Sequence, residues 1–386
     1  LADQGSIDFD DLVCRALQKL REDATLLSRW RQACASLLVD EVQDLDRSQL
    51  ELALLLAGRS ADVFLVGDDD QTIYAWRLAD VRRVLTLAAR LPGLRRHDLV
   101  TNRRCPPEVV RRASRLVACN TERFAKRIEA SASATGVVRL AADPADDVAR
   151  ARRLLGGPFM GGSGSHAVLA RTNAELAPYA AVAIEQGISY RVADDGLLLE
   201  DPAIDALLDG AGRSAGLPLL ALQQALATTR PAPQRRLASS LLAWAAPFGD
   251  IVAFRAAIEK ARRSRAGLRR DDAELILATA HATKGLEFDH VACIGLDEGT
   301  FPSGRSLADA ADPVRTLEEE RRLAYVAWTR ARRSLTLVYD PAAPSRFLCE
   351  AFDAYELRPL SHEAERQRGP APDRPRTRRR STEKSS

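Results

Sequence analysis

Leu37-Leu38-Val39-Asp40-Glu41-Val42-Gln43-Asp44 is a short apolar run that ends in acids. Beginning at Ser36, it suits a buried strand whose C-terminal tip carries chemistry. A second apolar run, Val63–Val66, reads as another buried strand and ends in Gly67-Asp68-Asp69-Asp70. Between them Ser48–Ala57 has helical character. Strand, helix, strand, with carboxylates at the strand tips, is the pattern of an open parallel α/β sheet.

The same pattern extends outward. Ile7–Arg31 reads as helix, and Asp98–Thr101 opens a strand before a helix that starts at Pro106-Pro107. A Gly/Ser-rich loop spans Gly156–Ser165, followed by a strand at His166–Ala170 and a helix at Glu175–Gln186 ended by Gly187. Leu197–Arg270 is mostly helical, rich in Ala and Leu, and interrupts an α/β pattern that resumes at Glu274–Thr279. Strands are expected at His290–Gly295 and Ser334–Tyr339, with a helix at Leu317–Arg332 between them. Pro370–Ser386 is polar and Pro/Arg-rich, the composition of a disordered tail.

A chain of 386 residues is too long for one core, so two or more domains are expected. Hydrophobic residues make up 46% and charged ones 28%, as in a globular protein. The longest apolar runs, such as Leu52–Ala57, are far too short to cross a bilayer, so no membrane partner is expected. Six scattered cysteines, with no C-x-x-C pair, read as reduced thiols in a cytoplasmic protein. The net charge is +3, but the tail Glu363–Ser386 carries 8 basic and 4 acidic residues, leaving the body near −1. A nucleic-acid groove must therefore come from local placement of arginines.

Asp40-Glu41 at a strand tip can do phosphate chemistry. One carboxylate can hold Mg²⁺ against nucleotide phosphates while its neighbour orients and deprotonates a water. Tyr74 and Trp76, in Val66-Gly-Asp-Asp-Asp-Gln-Thr-Ile-Tyr-Ala-Trp-Arg77, offer two faces on which bases can stack, or else core packing. Arg77 can neutralise a phosphate or pair with a nearby acid. Arg171-Thr172-Asn173 follows a strand and by itself reads as a polar strand-to-helix turn with Asn near the cap.

Five stretches stand in a fixed order: LLVDEVQD, VGDDDQTIYAWR, LVTNRRC at Leu99–Cys105, ATAHATKGLEFD at Ala278–Asp289, and EEERRLAYVAWTRAR at Glu318–Arg332. Together they resemble the UvrD/PcrA/Rep family of superfamily 1 DNA helicases, which unwind duplexes by moving 3′ to 5′ on one strand. The resemblance covers roughly Ile7 to Tyr339 and implies an α/β fold of two RecA-like P-loop NTPase-type domains with an inserted helical subdomain. The implied division is 1–97 for the C-terminal part of the first RecA-like domain and 98–195 plus 273–349 for the second. Residues 196–272 form the insertion and 350–386 a basic tail.

The resemblance also implies roles. Asp40 would be the Mg²⁺ ligand, Glu41 the catalytic base, and Gln71 a sensor of the γ-phosphate and the attacking water of ATP. Arg104 and Arg330 would be arginine fingers. Glu287 would accept from the ribose hydroxyls, and Gly285 would permit close backbone approach. Arg103 stands where the family usually has an adenine-stacking tyrosine. Tyr74, Trp76, Arg77, Arg171 and Asn173 would line the single-stranded DNA, and His281 and Lys284 would couple nucleotide state to the DNA backbone. Arg321 and Arg322 would be support or surface. From its basic composition alone, and not from the resemblance, the tail is expected to dock a repair or replication protein.

No G-x-x-x-x-G-K-[ST] loop occurs in the sequence, and the first residue is Leu1. The chain therefore reads as the larger C-terminal part of a longer enzyme, inactive alone. Two other readings stand beside this one. The first is a non-catalytic DNA-binding or regulatory module, and the second a helicase subunit of a recombination nuclease complex.

Overall fold

The computed structural model describes residues 9–34, 36–58, 62–91, 93–192, 205–206, 208–209, 245, 249–268 and 270–357. The chain is mixed α/β. Near the N-terminus, β1 (Ser36–Val39) pairs in parallel with β2 (Asp62–Leu65), Leu37 opposite Val63 and Val39 opposite Leu65. A second parallel pair joins β3 (Thr101–Asn102) to β4 (Glu129–Ala130). The main sheet has six parallel strands: β5 (Val137–Ala142), β6 (His166–Ala170), β7 (Tyr190–Val192), β8 (Leu275–Thr279), β9 (Phe288–Cys293) and β10 (Ala331–Tyr339). Their order across the sheet is β5-β10-β9-β6-β8-β7.

Every residue of the inner strand β6 is buried, as expected of a parallel strand covered on both faces. On one face Ala167, Leu169, Val291, Leu335 and Leu337 join Val109, Leu116, Leu323 and Trp328 in a core that also takes in Ile73 from the N-terminal region. On the other face Val168, Leu275, Leu277 and Val338 pack with Val148, Leu176, Tyr179 and Val182. A smaller core of Val42, Leu50, Val84 and Leu87 lies beside β1 and β2.

Three expectations need correction. First, β1 and β2 are strands but are not buried on both faces: Leu38 is 75% and Phe64 64% exposed. The small core covers one face only, and nothing among the described residues covers the other. Second, the N-terminal helix is two helices, Phe9–Glu22 and Ala24–Ala33. Asp23 starts the second by accepting from the Leu26 amide at 2.8 Å, a cap that interrupts the run. Third, the helix expected to reach Arg332 spans Pro313–Trp328, and Ala331 already belongs to β10. Its last carbonyls are captured by side chains. Thr329 Oγ1 donates to the Tyr325 carbonyl at 2.8 Å, and Arg330 Nε to the Val326 carbonyl at 2.9 Å. The Thr329 amide also donates to the Tyr325 carbonyl at 3.0 Å, so these side-chain bonds add to the last helical turn at the point where the chain leaves the helix.

Most of the expected helical insertion, and the expected tail 350–386 beyond Leu357, lie outside the described residues; its first residues are not tail, since Ala351 and Phe352 are buried in the main core and Glu356 pairs with Arg112. The helix Ile251–Leu268 is the insertion's longest described part and packs against the helix Asn173–Gln186. No described helix is long and apolar enough to cross a membrane.

The two kinds of apolar surface should respond differently to mutation. Leu323, 1% exposed in the helix Pro313–Trp328, should cost about 2–5 kcal/mol as Leu323→Ala. Leu38→Ser, on the bare face, should cost less than about 0.5 kcal/mol. Urea denaturation of both variants checks this; comparable losses would mean that Leu38 is covered in solution.

Candidate nucleotide and nucleic-acid site

The tip of β1 places two carboxylates in the open. Asp40 and Glu41 are both exposed, and Asp40 Oδ1 accepts the Glu41 amide at 2.8 Å. Glu41 adopts a left-handed backbone conformation with φ of 51°, sparsely populated by residues with a side chain. Gln43, 1% exposed, joins the two strand tips. Its amide nitrogen donates to the Glu41 carboxylate, and its oxygen accepts the Asp68 amide at 3.1 Å. A side chain at Gly67 would bring Cβ within 2.5 Å of that Gln43 oxygen and 2.8 Å of Val42, so it would displace the Gln43 bridge.

The acids at the tip of β2 differ in kind. Lys126 Nζ lies 2.6 Å from Asp69 and 2.9 Å from Asp70 and also bonds Asp68, while Arg123 forms a two-pronged bond with Asp70 at 2.7 and 3.0 Å. Burial alone would lower the Lys126 pKa, but the carboxylates of Asp68, Asp70 and Asp69 outweigh it and hold it raised. The oxygens of these acids lie within 4.8 Å of one another, close enough for a metal, but the ammonium and guanidinium already occupy them. Asp40 has no cationic side chain within ion-pair distance among the described residues, so its carboxylate could take a cation. Asp68 also accepts from Gln71 Nε2 at 2.7 Å, which fixes the Gln71 side chain. Arg123 and Lys126 were not picked out from the sequence. Their signal, three cations in Arg123-Phe-Ala-Lys126-Arg127 about fifty residues after three acids, has no fixed spacing to read.

Residues from the C-terminal half face this edge. Lys284 Nζ bonds both Asp44 oxygens at 2.6 Å and the Gln71 carbonyl at 2.8 Å, and lies 3.7 Å from Glu41. It was expected beside the DNA backbone; here its ammonium is committed to the acidic side of the cleft. Arg330, 1% exposed, donates to the Leu286 carbonyl at 3.1 Å and sits 3.5 Å from Gln71 Oε1. Burial, then repulsion from Arg104, lowers its pKa to about 10. Arg104 Nε pairs with Glu287 at 2.8 Å, and Arg332 reaches the other Glu287 oxygen at 3.2 Å. Asn102 Oδ1 accepts the amides of Arg104 and Cys105 at 3.0 and 2.8 Å, fixing the turn that presents Arg104. Arg103 is exposed, and Gly285 has φ of 82° with open space where a side chain would be.

A second group lies behind the cleft. The Tyr74 ring is half-buried against the main core, and the Trp76 ring meets it edge-on at 6.0 Å while remaining 70% exposed. Arg77 lies 5.6 Å over the Trp76 ring. Arg171, expected to reach DNA, spends its guanidinium on Glu320 at 2.6–2.9 Å. Asn173 is the first residue of a helix capped by Thr172 and Glu175. His281 presents its carbonyl to the Tyr74 hydroxyl at 3.5 Å. Arg321 and Arg322 are buried supports, not surface: Arg321 holds Glu350 and Asn120, and Arg322 holds the Glu122 carbonyl and Glu318.

Residues 1–92 match the UvrD/REP helicase N-terminal domain, and residues 254–341 the UvrD-like helicase C-terminal domain. These matches support a UvrD-like superfamily 1 helicase. Among its relatives, the ATP-dependent DNA helicase UvrD2 of Mycobacterium tuberculosis is 29% identical across 95% of this chain and 57% of its own length. DNA helicase II of Escherichia coli is 25% identical across 93% of this chain and 66% of its own length. For the ATP-dependent DNA helicase Rep of Escherichia coli the values are 25%, 89% and 67%. The chain thus spans little more than half the length of UvrD2. The six-stranded parallel sheet fits the RecA-like domains of this family.

Two histidines of this UvrD-like chain make its stability acid-sensitive. Burial, then the Arg171 guanidinium, lowers the His281 pKa to about 4, against a smaller opposing pull from Glu320. Burial, then stacked His290, lowers that of His166, whose ring nitrogens have no hydrogen-bond partner. Unfolded histidine titrates near about 6.5, so between about 6.5 and 4 the unfolded chain binds more protons than the folded one. Stability is therefore complete above about 6.5 and is lost as pH falls through that window. Denaturation midpoints at pH 7.5 and pH 5 should differ accordingly, and His166→Phe should narrow the difference; equal midpoints would contradict it.

Proposed function

We propose that this chain supplies most of an ATP-driven 3′-to-5′ translocase and helicase acting on single-stranded DNA in repair or recombination. One observation supports the reading most: Lys284 and Arg330, from the C-terminal half, both reach Gln71 in the N-terminal half, at 2.8 and 3.5 Å. Gln71 is thus the point where a change on one side of the cleft is felt on the other.

Each residue then has a role. Asp40 would hold Mg²⁺, which when bound neutralises phosphate charge. Glu41, its carboxylate steadied by Gln43, orients and deprotonates the attacking water. Gln71, steadied by Asp68, senses the γ-phosphate. Arg104 and Arg330 counter the charge that develops there, and an arginine finger is worth about 10³–10⁵ in rate. Glu287 accepts from the ribose, Gly285 lets the backbone approach, and Arg103 lies against the base. Lys284, in closing and opening the cleft, transmits that motion toward Tyr74, whose ring lies 5.2 Å from its ammonium. Tyr74 and Trp76 stack bases, while Arg77, Asn173 and His281 line the strand beside them. Arg171 acts there through Glu320 rather than by direct phosphate contact. The basic tail docks a repair or replication protein.

The sequence holds no G-x-x-x-x-G-K-[ST] loop to cradle the β- and γ-phosphates, so ATP hydrolysis needs a cradle from outside these residues. Hydrolysis stimulated by single-stranded DNA should be absent from the chain alone. Where a cradle is supplied, Glu41→Gln should lower kcat by about 10²–10⁴. Turnover by the chain alone that Glu41→Gln abolishes would show that one of its own segments serves as the cradle.

A further inference from the structure

The loop that carries the two stacking aromatics is tethered to one face of the helix Pro313–Trp328. Glu319 Oε1 accepts the backbone amide of Ala75, the residue between Tyr74 and Trp76, at 3.0 Å. One helical turn earlier, Arg315 bonds Asp80 at the far end of the same loop and lies 3.4 Å from Glu122. Residues 315 and 319 are four apart and so share a helix face. Between the tethers the loop closes on itself in one tight turn, the Arg77 and Leu78 amides donating to the Tyr74 and Ala75 carbonyls at 2.8 Å and Arg83 bonding the Leu78 carbonyl; among the described residues, the tethers from the helix Pro313–Trp328 set how that turn is held against the body. Ala75, Trp76, Arg77 and Leu78 are all exposed, and Leu78 turns through a left-handed conformation with φ of 63°.

We propose that Glu319 is a positioning residue for the DNA-stacking loop, holding Trp76 at the orientation in which a base can lie on it. The proposal rests on the reading of Trp76 as a base-stacking residue. It adds a carboxylate that touches no DNA and yet determines DNA affinity. Burial raises the Glu319 pKa, and in either protonation state a carboxyl oxygen is free to accept from Ala75. The same helix ends at Trp328, two residues before Arg330, so the tether ties the stacking loop to the rod that presents an arginine finger.

The sign of the effect separates positioning from plain electrostatics. Removing a negative charge beside a polyanion should by itself tighten binding; losing the tether should weaken it. The measurement is oligothymidylate binding by the whole chain at fixed salt, followed by fluorescence anisotropy. Glu319→Ala should weaken binding about tenfold, the scale of one lost stacking contact. Glu319→Asp keeps the charge but is too short to reach Ala75 and should weaken it similarly, whereas Glu319→Gln keeps an acceptor oxygen and should restore near-native affinity. The Asp and Gln variants give the same contrast if the Ala variant does not fold. Binding that is unchanged or tighter in Glu319→Ala and Glu319→Asp, while Trp76→Ala weakens it, overturns the positioning role. Unchanged binding in Trp76→Ala overturns the stacking reading beneath it.

Discussion

The helix Pro313–Trp328 is the constraint on which the rest of the chain depends. From Glu320 through Arg330 every residue is buried, including three arginines and a glutamate. Charged groups in such a place must find partners, because an unpaired buried charge costs several kcal/mol. Each partner lies in a different part of the chain. Glu318 accepts the Thr121 amide at 2.7 Å and its hydroxyl at 2.6 Å. Glu319 holds Ala75, and Glu320 holds Arg171 and the Ser303 amide. Arg321 holds Glu350 through two bonds at 2.7 and 2.8 Å. Replacing such pairs by apolar side chains is often neutral or stabilising, so their value is in specificity. They fix which loop meets which turn of a rod roughly 24 Å long at 1.5 Å per residue.

The acids of the two strand tips follow one rule with opposite results. Asp69 and Asp70 are buried, so they require Lys126 and Arg123 at contact distance, and the ensemble becomes a rigid mount for Gln71. Asp40 and Glu41 are exposed, so water can solvate them and neither is obliged to carry a salt bridge. Neutralised acids position; solvated acids are left with charge to spend. The left-handed backbone at Glu41 is a cost of about 1–3 kcal/mol that Gln43 helps to hold in place.

The sequence revealed elements wherever periodicity and punctuation agreed. His166–Ala170 is a strand at its expected bounds, and Asn173–Gln186 ends at Gly187 as expected. What was missed has a physical reason. β5 (Val137–Ala142) alternates exposed and half-buried residues at the edge of the sheet, and β7 is three residues long, so neither makes an apolar run. The face of β1 and β2 could not be judged, because the same apolar residues suit a covered or a bare strand. Of the site residues, those in ordered motifs were legible by type. Their bonding was not: the commitment of Lys284 to Asp44 and of Arg171 to Glu320 depends on partners 240 and 149 residues away.

On the proposed reading, the arginines of the C-terminal half are the side of the cleft that would receive an anion. Arg104 and Arg332 flank Glu287, one carboxylate between two guanidiniums. Arg330 is buried nearby, its charged form opposed first by burial and next by Arg104. Two like charges held close in a partly dry site are in tension, and negative charge arriving between them would relieve it. The guanidiniums do not need to be gathered for that event. Asn102 fixes the turn of Arg104, while the Val326 and Leu286 carbonyls fix the side chain of Arg330. On the proposed reading, a guanidinium fixed as that of Arg330 is would cost little reorganisation when charge develops, while that of Arg104 would have to exchange its bond to Glu287 for the new anion. The helix that tethers the loop of Tyr74 and Trp76 also sets where Arg330 emerges, so the position of this arginine and that of the loop share one support.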